Sequence, residues 1–218
     1  MNQTSRFDPP HDLDLPERLA ARLRQPLPGA AVQTAFQPQA GYGRHFGPAP
    51  ASARSAAVLT LLYRDADAWH LPLMLRPGNA ADHAGQISLP GGAIEPGESS
   101  EVAAARELEE ELGVDRRTVE LLGEMSPLYL FRSNYVITPW LAVTRSRPEW
   151  RPSPTEVAEV VELPLAVLLE PASRVVETWH DQGVAFEVPA LRHTGHVIWG
   201  ATAMILAELA AIVLEPAD

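Results

Sequence analysis

Residues 92–114 join a tight loop to a helix with clustered charge, and few folds can accommodate that pairing. Gly91, Gly92, Pro96 and Gly97 bend the chain, and Ser99 or Ser100 can cap a helix N-terminus. Gly113 supplies the stop. Val102, Ala105, Leu108 and Leu112 fall on one side at helical spacing, so this face is expected to anchor the helix to a core. Glu107, Glu110 and Glu111 stand at i, i+3 and i+4 and are expected to point roughly away from it. Like charges so spaced cost about 0.2–0.5 kcal/mol per pair, and Arg106 is the neighbouring residue that can offset them. A solvated acidic face is the ordinary reading of such a trio. A hard divalent cation, Mg²⁺ or Mn²⁺, is the functional one, because it favours carboxylate oxygen and keeps open positions for water and phosphate.

Composition narrows the chemistry further. The net charge is −11, from 17 basic and 28 acidic residues, which makes long nucleic acid an unfavourable partner. A small phosphorylated substrate remains compatible if a local cation offsets the repulsion. There is no cysteine, which removes disulfides, thiolate metal sites and cysteine nucleophiles. All 17 basic residues are Arg, so a P-loop lysine and a Schiff-base amine are both absent. The first ten residues lack a basic-then-apolar signal. The longest largely apolar stretch, residues 201–214, is interrupted by Thr202 and Glu208 and is too short to span a bilayer. A cytoplasmic protein with no membrane partner is expected.

Along the chain, residues 1–54 are expected to form a short amphipathic helix at 16–24 and then an extended Pro-rich arm or wrapping loop through Gly41, Gly43, Pro48 and Pro50. Residues 55–218 form the compact domain. Apolar runs at 56–63 and 69–76 predict a hairpin, with further strands at 86–89, 119–124, 135–144, 157–162, 175–180, 184–188 and 197–199. Pro139 suggests an edge or bulge in its strand. Helices are expected at 99–112, 165–169 and 202–214. Such alternation argues for an α/β or α+β sandwich.

The segment Gly92–Val114 resembles the Nudix box: Gly, five residues, Glu98, seven residues, then Arg106-Glu107-Leu108-Glu109-Glu110-Glu111-Leu112-Gly113-Val114. All nine specified positions agree, and chance agreement anywhere in the chain is on the order of one in a million. The resemblance implies a Nudix-type α/β/α sandwich with a mixed sheet, and hydrolysis of a nucleotide-type diphosphate with Mg²⁺ or Mn²⁺. It implies Glu107, Glu110 and Glu111 as metal ligands, assisted by the backbone carbonyl of Gly91. Arg106 is implied as the residue that orients the glutamates, and Glu98 as a loop carboxylate in that network. Glu98, Glu156 and Glu159 are the candidates for the general base.

Upstream, residues 73–92 resemble the added signature of the coenzyme A pyrophosphatase branch, through Arg76, His83-Ala84-Gly85-Gln86 and Pro90-Gly91-Gly92. The departures are Ala81 in place of an Arg, Met74 for Thr, Pro77 for Ser or Ala, and Leu89 for Phe. Arg76, His83, Gln86 and Arg132 are the expected substrate-binding residues, with guanidinium groups suited to phosphate. On that branch the products are 3′,5′-ADP and 4′-phosphopantetheine. ADP-ribose or another nucleoside diphosphate derivative is the alternative substrate, and a non-catalytic nucleotide-binding regulator is the alternative class. The resemblance also allows a homodimer that the arm could help to build. His193-Thr194-Gly195-His196 has metal-like spacing without a third ligand nearby. Trp140, Trp179 and Trp199 read as core or interface residues rather than stacking platforms.

Overall fold

The apolar run at 56–63 becomes the middle strand of a mixed sheet in the computed structural model, which describes residues 8–9, 11–38, 48–79, 83–181 and 183–215. The helices are α1 (Leu15–Arg22), α2 (Ala30–Gln33), α3 (Ser100–Leu112), α4 (Leu165–Leu169) and α5 (Gly200–Leu214). The strands are β1 (Arg54–Asp65), β2 (Ala68–Leu75), β3 (Ile87–Ser88), β4 (Gly91–Ala93), β5 (Glu120–Glu124), β6 (Leu128–Leu130), β7 (Tyr135–Thr144), β8 (Glu159–Pro164), β9 (Arg174–Asp181), β10 (Val184–His193) and β11 (His196–Trp199). The larger sheet runs β3-β2-β1-β7-β5, with β4 on β1, β6 on β7 and β8 on β2. The smaller sheet is β11-β10-β9.

Alternation along β1 divides the core into two layers. Ala57, Leu59 and Leu61 pack with Leu108 and Leu112 of α3, while Leu62 joins the opposite layer with α1 and α5. The result is the expected α/β/α sandwich. β1 and β7 pair in parallel over ten residues, Arg54 opposite Tyr135 through Tyr63 opposite Thr144, so the sheet centre is buried on both faces. α5 is apolar on every side because sheet, hairpin and N-terminal segment all cover it.

The N-terminal segment wraps the body. Leu15, Leu19 and Phe36 are buried in the main core. Beyond α1, residues expected to be extended form α2 and a 3₁₀ turn, Thr34–Phe36. Glu208, fully buried on α5, accepts hydrogen bonds from Gly29 N–H (3.0 Å), Gln33 Nε2 (3.1 Å) and Ser126 N–H (3.2 Å). The interruption in the apolar stretch is thus the clasp that holds this segment. Gly41 and Gly43 lie outside the described residues.

Pro139 is neither at an edge nor at a bulge. β7 is bonded on both sides, and Pro139 sits where its neighbour changes from β6 to β5. Its missing N–H therefore deprives no ladder partner there, and its carbonyl accepts from Met125 N–H at 2.8 Å. The irregularity lies instead in β5, between Leu121 and Gly123.

Candidate active site

α3 is rotated from the expected setting. Ala103, Ala104, Leu108, Glu111 and Leu112 are buried, whereas Val102 is 44% exposed. The small side chains of Ala103 and Ala104 admit close approach to the sheet, and this outweighs burial of one valine. Glu111 consequently faces inward and is 3% exposed, not directed away from the apolar face. Ser99 occupies the N-cap position without a side-chain cap bond, and Ser100 Oγ instead accepts from Trp140 Nε1 at 3.1 Å.

The loop before α3 is folded onto its glutamates. Glu111 Oε2 accepts from Gly91 N–H at 2.8 Å. A Cβ on Gly92 would lie 2.6 Å from the Glu107 carboxyl carbon, so any side chain here would displace that carboxylate. Arg106 ties the acidic groups together. Its Nε and Nη2 donate to Glu98 at 2.9 and 3.0 Å, and its Nη1 donates to Glu107 at 2.8 Å and Glu110 at 3.0 Å. Nη2 also reaches the Ala93 carbonyl at 3.2 Å.

Glu156 arrives from another part of the chain. Gly113 ends α3 with φ 69°, and a Cβ there would meet Arg151 Cβ at 2.6 Å. The bare backbone lets residues 151–153 pass closely, with Arg151 N–H donating to the Leu112 carbonyl (2.9 Å) and Ser153 N–H to the Glu111 carbonyl (2.8 Å). The turn that follows brings the Glu156 charge within range of Glu107 and Glu111.

These placements set the electrostatics. Burial pushes the Glu111 carboxyl up to about 8, with Glu107 and Glu156 adding to the rise while Gly91 N–H and Arg76 oppose it. Glu107 is raised for the same first reason, against the pull of Arg106. Glu98 is held below the usual carboxylate range by the Arg106 guanidinium. Glu159 Oε1 lies 3.4 Å from His196 Nε2, an ion pair only when the imidazole is protonated.

Beside Gly91 opens a cavity of about 630 Å³, within the usual range for small-molecule sites. Arg76, His83, Gln86 and Arg132, the four expected substrate-binding residues, all line it. Among the described residues the buried Arg76 Nε has no hydrogen-bond partner, and His83 Nδ1 contacts Gln86 Oε1 at 3.1 Å. Ala81 lies outside the described residues. Trp179, Phe186 and Trp199 also line the cavity, and the two tryptophans, read from the sequence as core or interface residues, are half-buried there. Their pairing comes from hairpin register, which no local pattern announces. His193 and His196 flank a β10–β11 turn, where His193 contacts the Glu162 carbonyl at 3.1 Å.

Among the described residues, no group of three or more His, Asp or Glu side chains converges on a metal position. The donor chemistry nevertheless suits a hard cation. Glu107 and Glu111 have raised carboxyls, Glu156 adds repulsion, and Arg106 engages only one oxygen of Glu107. A divalent ion would relieve that repulsion once the side chains rotate toward it.

A family model described as the NUDIX domain matches residues 53–180, more than half of the chain. A protein from Photorhabdus laumondii named "Uncharacterized Nudix hydrolase NudL" is 33% identical over 141 residues, spanning 64% of this chain and 75% of the relative. One of the same name from Salmonella newport is 34% identical over 158 residues, spanning 72% and 81%. A solved MutT protein from Methanosarcina mazei superposes with a TM-score of 0.48 at 19% identity, covering 74% of this chain and 96% of that one. The chain belongs to the Nudix family. It is an enzyme of the diphosphate-hydrolase type, acting on nucleotide-type substrates, in a family that generally uses divalent metal ions. No helix among the described residues is long and apolar enough to cross a membrane.

Proposed function

We propose that this enzyme hydrolyses the diphosphate of coenzyme A or an acyl-CoA to 3′,5′-ADP and 4′-phosphopantetheine, using Mg²⁺ or Mn²⁺. The observation that carries the reading is that Arg76, His83, Gln86 and Arg132 line one cavity, and that this cavity also includes Gly91, whose N–H holds Glu111. Glu107, Glu110, Glu111 and the Gly91 carbonyl would hold the metal, which when bound neutralises phosphate charge and acidifies water. Arg106 orients Glu107 and Glu110 and anchors Glu98. Arg76 and Arg132 bind the phosphates, with the Arg76 Nε, which has no partner among the described residues, ready to donate.

In the chemical step, water attacks one phosphorus and the bridging oxygen leaves with the other phosphate. Glu156 is the base that the geometry favours. Glu98 is committed to Arg106 by two hydrogen bonds and has a lowered pKa, which weakens it as a proton acceptor. Glu159 lies beside His196. The reading carries with it a cytoplasmic location and a homodimeric state, which cell fractionation and light scattering test.

The decisive experiment is turnover of coenzyme A, ADP-ribose, a dinucleoside polyphosphate and a nucleoside diphosphate sugar with each metal. Release of 3′,5′-ADP is expected from coenzyme A, with activity lost in Glu111→Gln. Turnover of ADP-ribose with none of coenzyme A overturns the substrate. Undiminished activity in both Glu110→Gln and Glu111→Gln overturns the site.

A further inference from the structure

The cavity has two chemically different groups of lining residues. Gly91 and Arg76, both tied to Glu111 of the acidic cluster, line it, and so do three aromatic side chains, Trp179, Phe186 and Trp199. Trp179 on β9 and Phe186 on β10 are register partners. Trp199 on β11 pairs with Ala190 of β10, so all three aromatics belong to one small sheet. The Trp179 and Trp199 rings meet edge to face, with centroids 4.4 Å apart and planes at 68°. None of the three is fully buried, although Val188 and Ala190, on the same face, are. The inner face of this sheet thus passes from core packing to an open aromatic corner.

We propose that Trp179, Trp199 and Phe186 form a nucleobase subsite that stacks the planar base of the substrate while its diphosphate lies at Arg76 and Gly91. This rests on the nucleotide-diphosphate reading above. Two rings set nearly at right angles form a corner in which a flat heterocycle can stack on one face and meet the other ring edge-on. A flexible aliphatic tail would gain apolar contact with these rings but not the stacking that a flat heterocycle obtains. Arg76 and Arg132 line the same cavity and suit the phosphates that follow the sugar.

The test is tryptophan fluorescence of the full chain in EDTA, titrated with AMP, ribose 5-phosphate and 4′-phosphopantetheine. Saturable quenching by AMP is expected, with ribose 5-phosphate inert. Trp179→Leu should abolish the quenching and raise KM for the hydrolysed nucleotide roughly 5- to 100-fold, leaving kcat within about twofold. Trp179→Phe, which keeps an aromatic face, should restore KM to within about threefold and guards against a variant that merely misfolds. Quenching by 4′-phosphopantetheine but not AMP, or equal KM in wild type and a folded Trp179→Leu, overturns the proposal. If no diphosphate is hydrolysed yet AMP still quenches in a Trp179-dependent way, the catalytic reading fails and the base subsite stands.

Discussion

Replacing Glu111 by Gln is expected to stabilise the metal-free protein at high pH while abolishing turnover. Glu111 is 3% exposed, accepts one N–H from Gly91 and lies near the charges of Glu107 and Glu156. Burial, the largest cause, carries its carboxyl from an ordinary 4.5 to about 8. Below pH 4.5 the group is protonated both folded and unfolded, and wild type loses nothing. Between 4.5 and 8 the unfolded chain releases the proton that the folded chain keeps, so stability declines as pH rises; above 8 the deficit is complete. That displacement corresponds to roughly 5 kcal/mol at most, and relaxation with water entry should leave about 1–3 kcal/mol to be measured. Glutamine keeps an oxygen for Gly91 and does not ionise. At about 2–4 °C per kcal/mol for a chain of this size, the variant should melt about 2–12 °C above wild type. Thermal unfolding in EDTA at pH 5 and pH 9 is the assay. Melting temperatures should nearly coincide at pH 5 and separate at pH 9, and Mn²⁺ at pH 8 should raise wild type alone. A variant less stable than wild type at both pH values would mean that the buried Glu111 carboxylate carries no such cost.

Arg106→Ala leaves Glu98, Glu107 and Glu110 without their shared guanidinium. Calorimetry should show a loss of about 2–4 kcal/mol, reduced by partial exposure, with Arg106→Lys intermediate; a loss below about 0.5 kcal/mol contradicts the network. Glu208→Ala strands the donors of Gly29, Gln33 and Ser126. A loss of about 2–4 kcal/mol is expected, with faster amide exchange in residues 29–36 and unchanged exchange in β1. Glu162 is held down to about 2, first by its hydrogen bonds to Arg147. A depressed carboxyl contributes stability above pH 4.5 that disappears as pH falls toward 2. Arg147→Ala should therefore flatten the acid limb of a stability-versus-pH curve over that window, and an unchanged limb counts against the pairing.

The elements most legible in the sequence were those whose own periodicity defines them. β1, β2, β7, the β9–β10 hairpin, α3 and α5 all occupy nearly the expected spans. The rotation of α3 was not legible, because Ala103 and Ala104 look indifferent in a pattern while Val102 looks like core. Only the nearness of the sheet decides between them. Glu208 read as a defect in an apolar run because its donors come from residues 29, 33 and 126. The loop-and-helix part of the site was legible, since Glu98, Arg106, Glu107, Glu110 and Glu111 are local to one another. That Glu156 rather than Glu159 joins them depends on the crossing of residues 151–153 over Gly113. The aromatic wall depends likewise on register between distant strands.

A crystal structure with Mn²⁺ and a non-hydrolysable diphosphate, read by anomalous scattering, shows whether the acidic cluster holds a metal. Expected is a manganese peak bounded by carboxylate oxygens of Glu107, Glu110 and Glu111 and the Gly91 carbonyl, with the diphosphate reaching Arg76. An anomalous map without a peak there, and Arg106 still bonded to Glu107 and Glu110, would contradict that metal site.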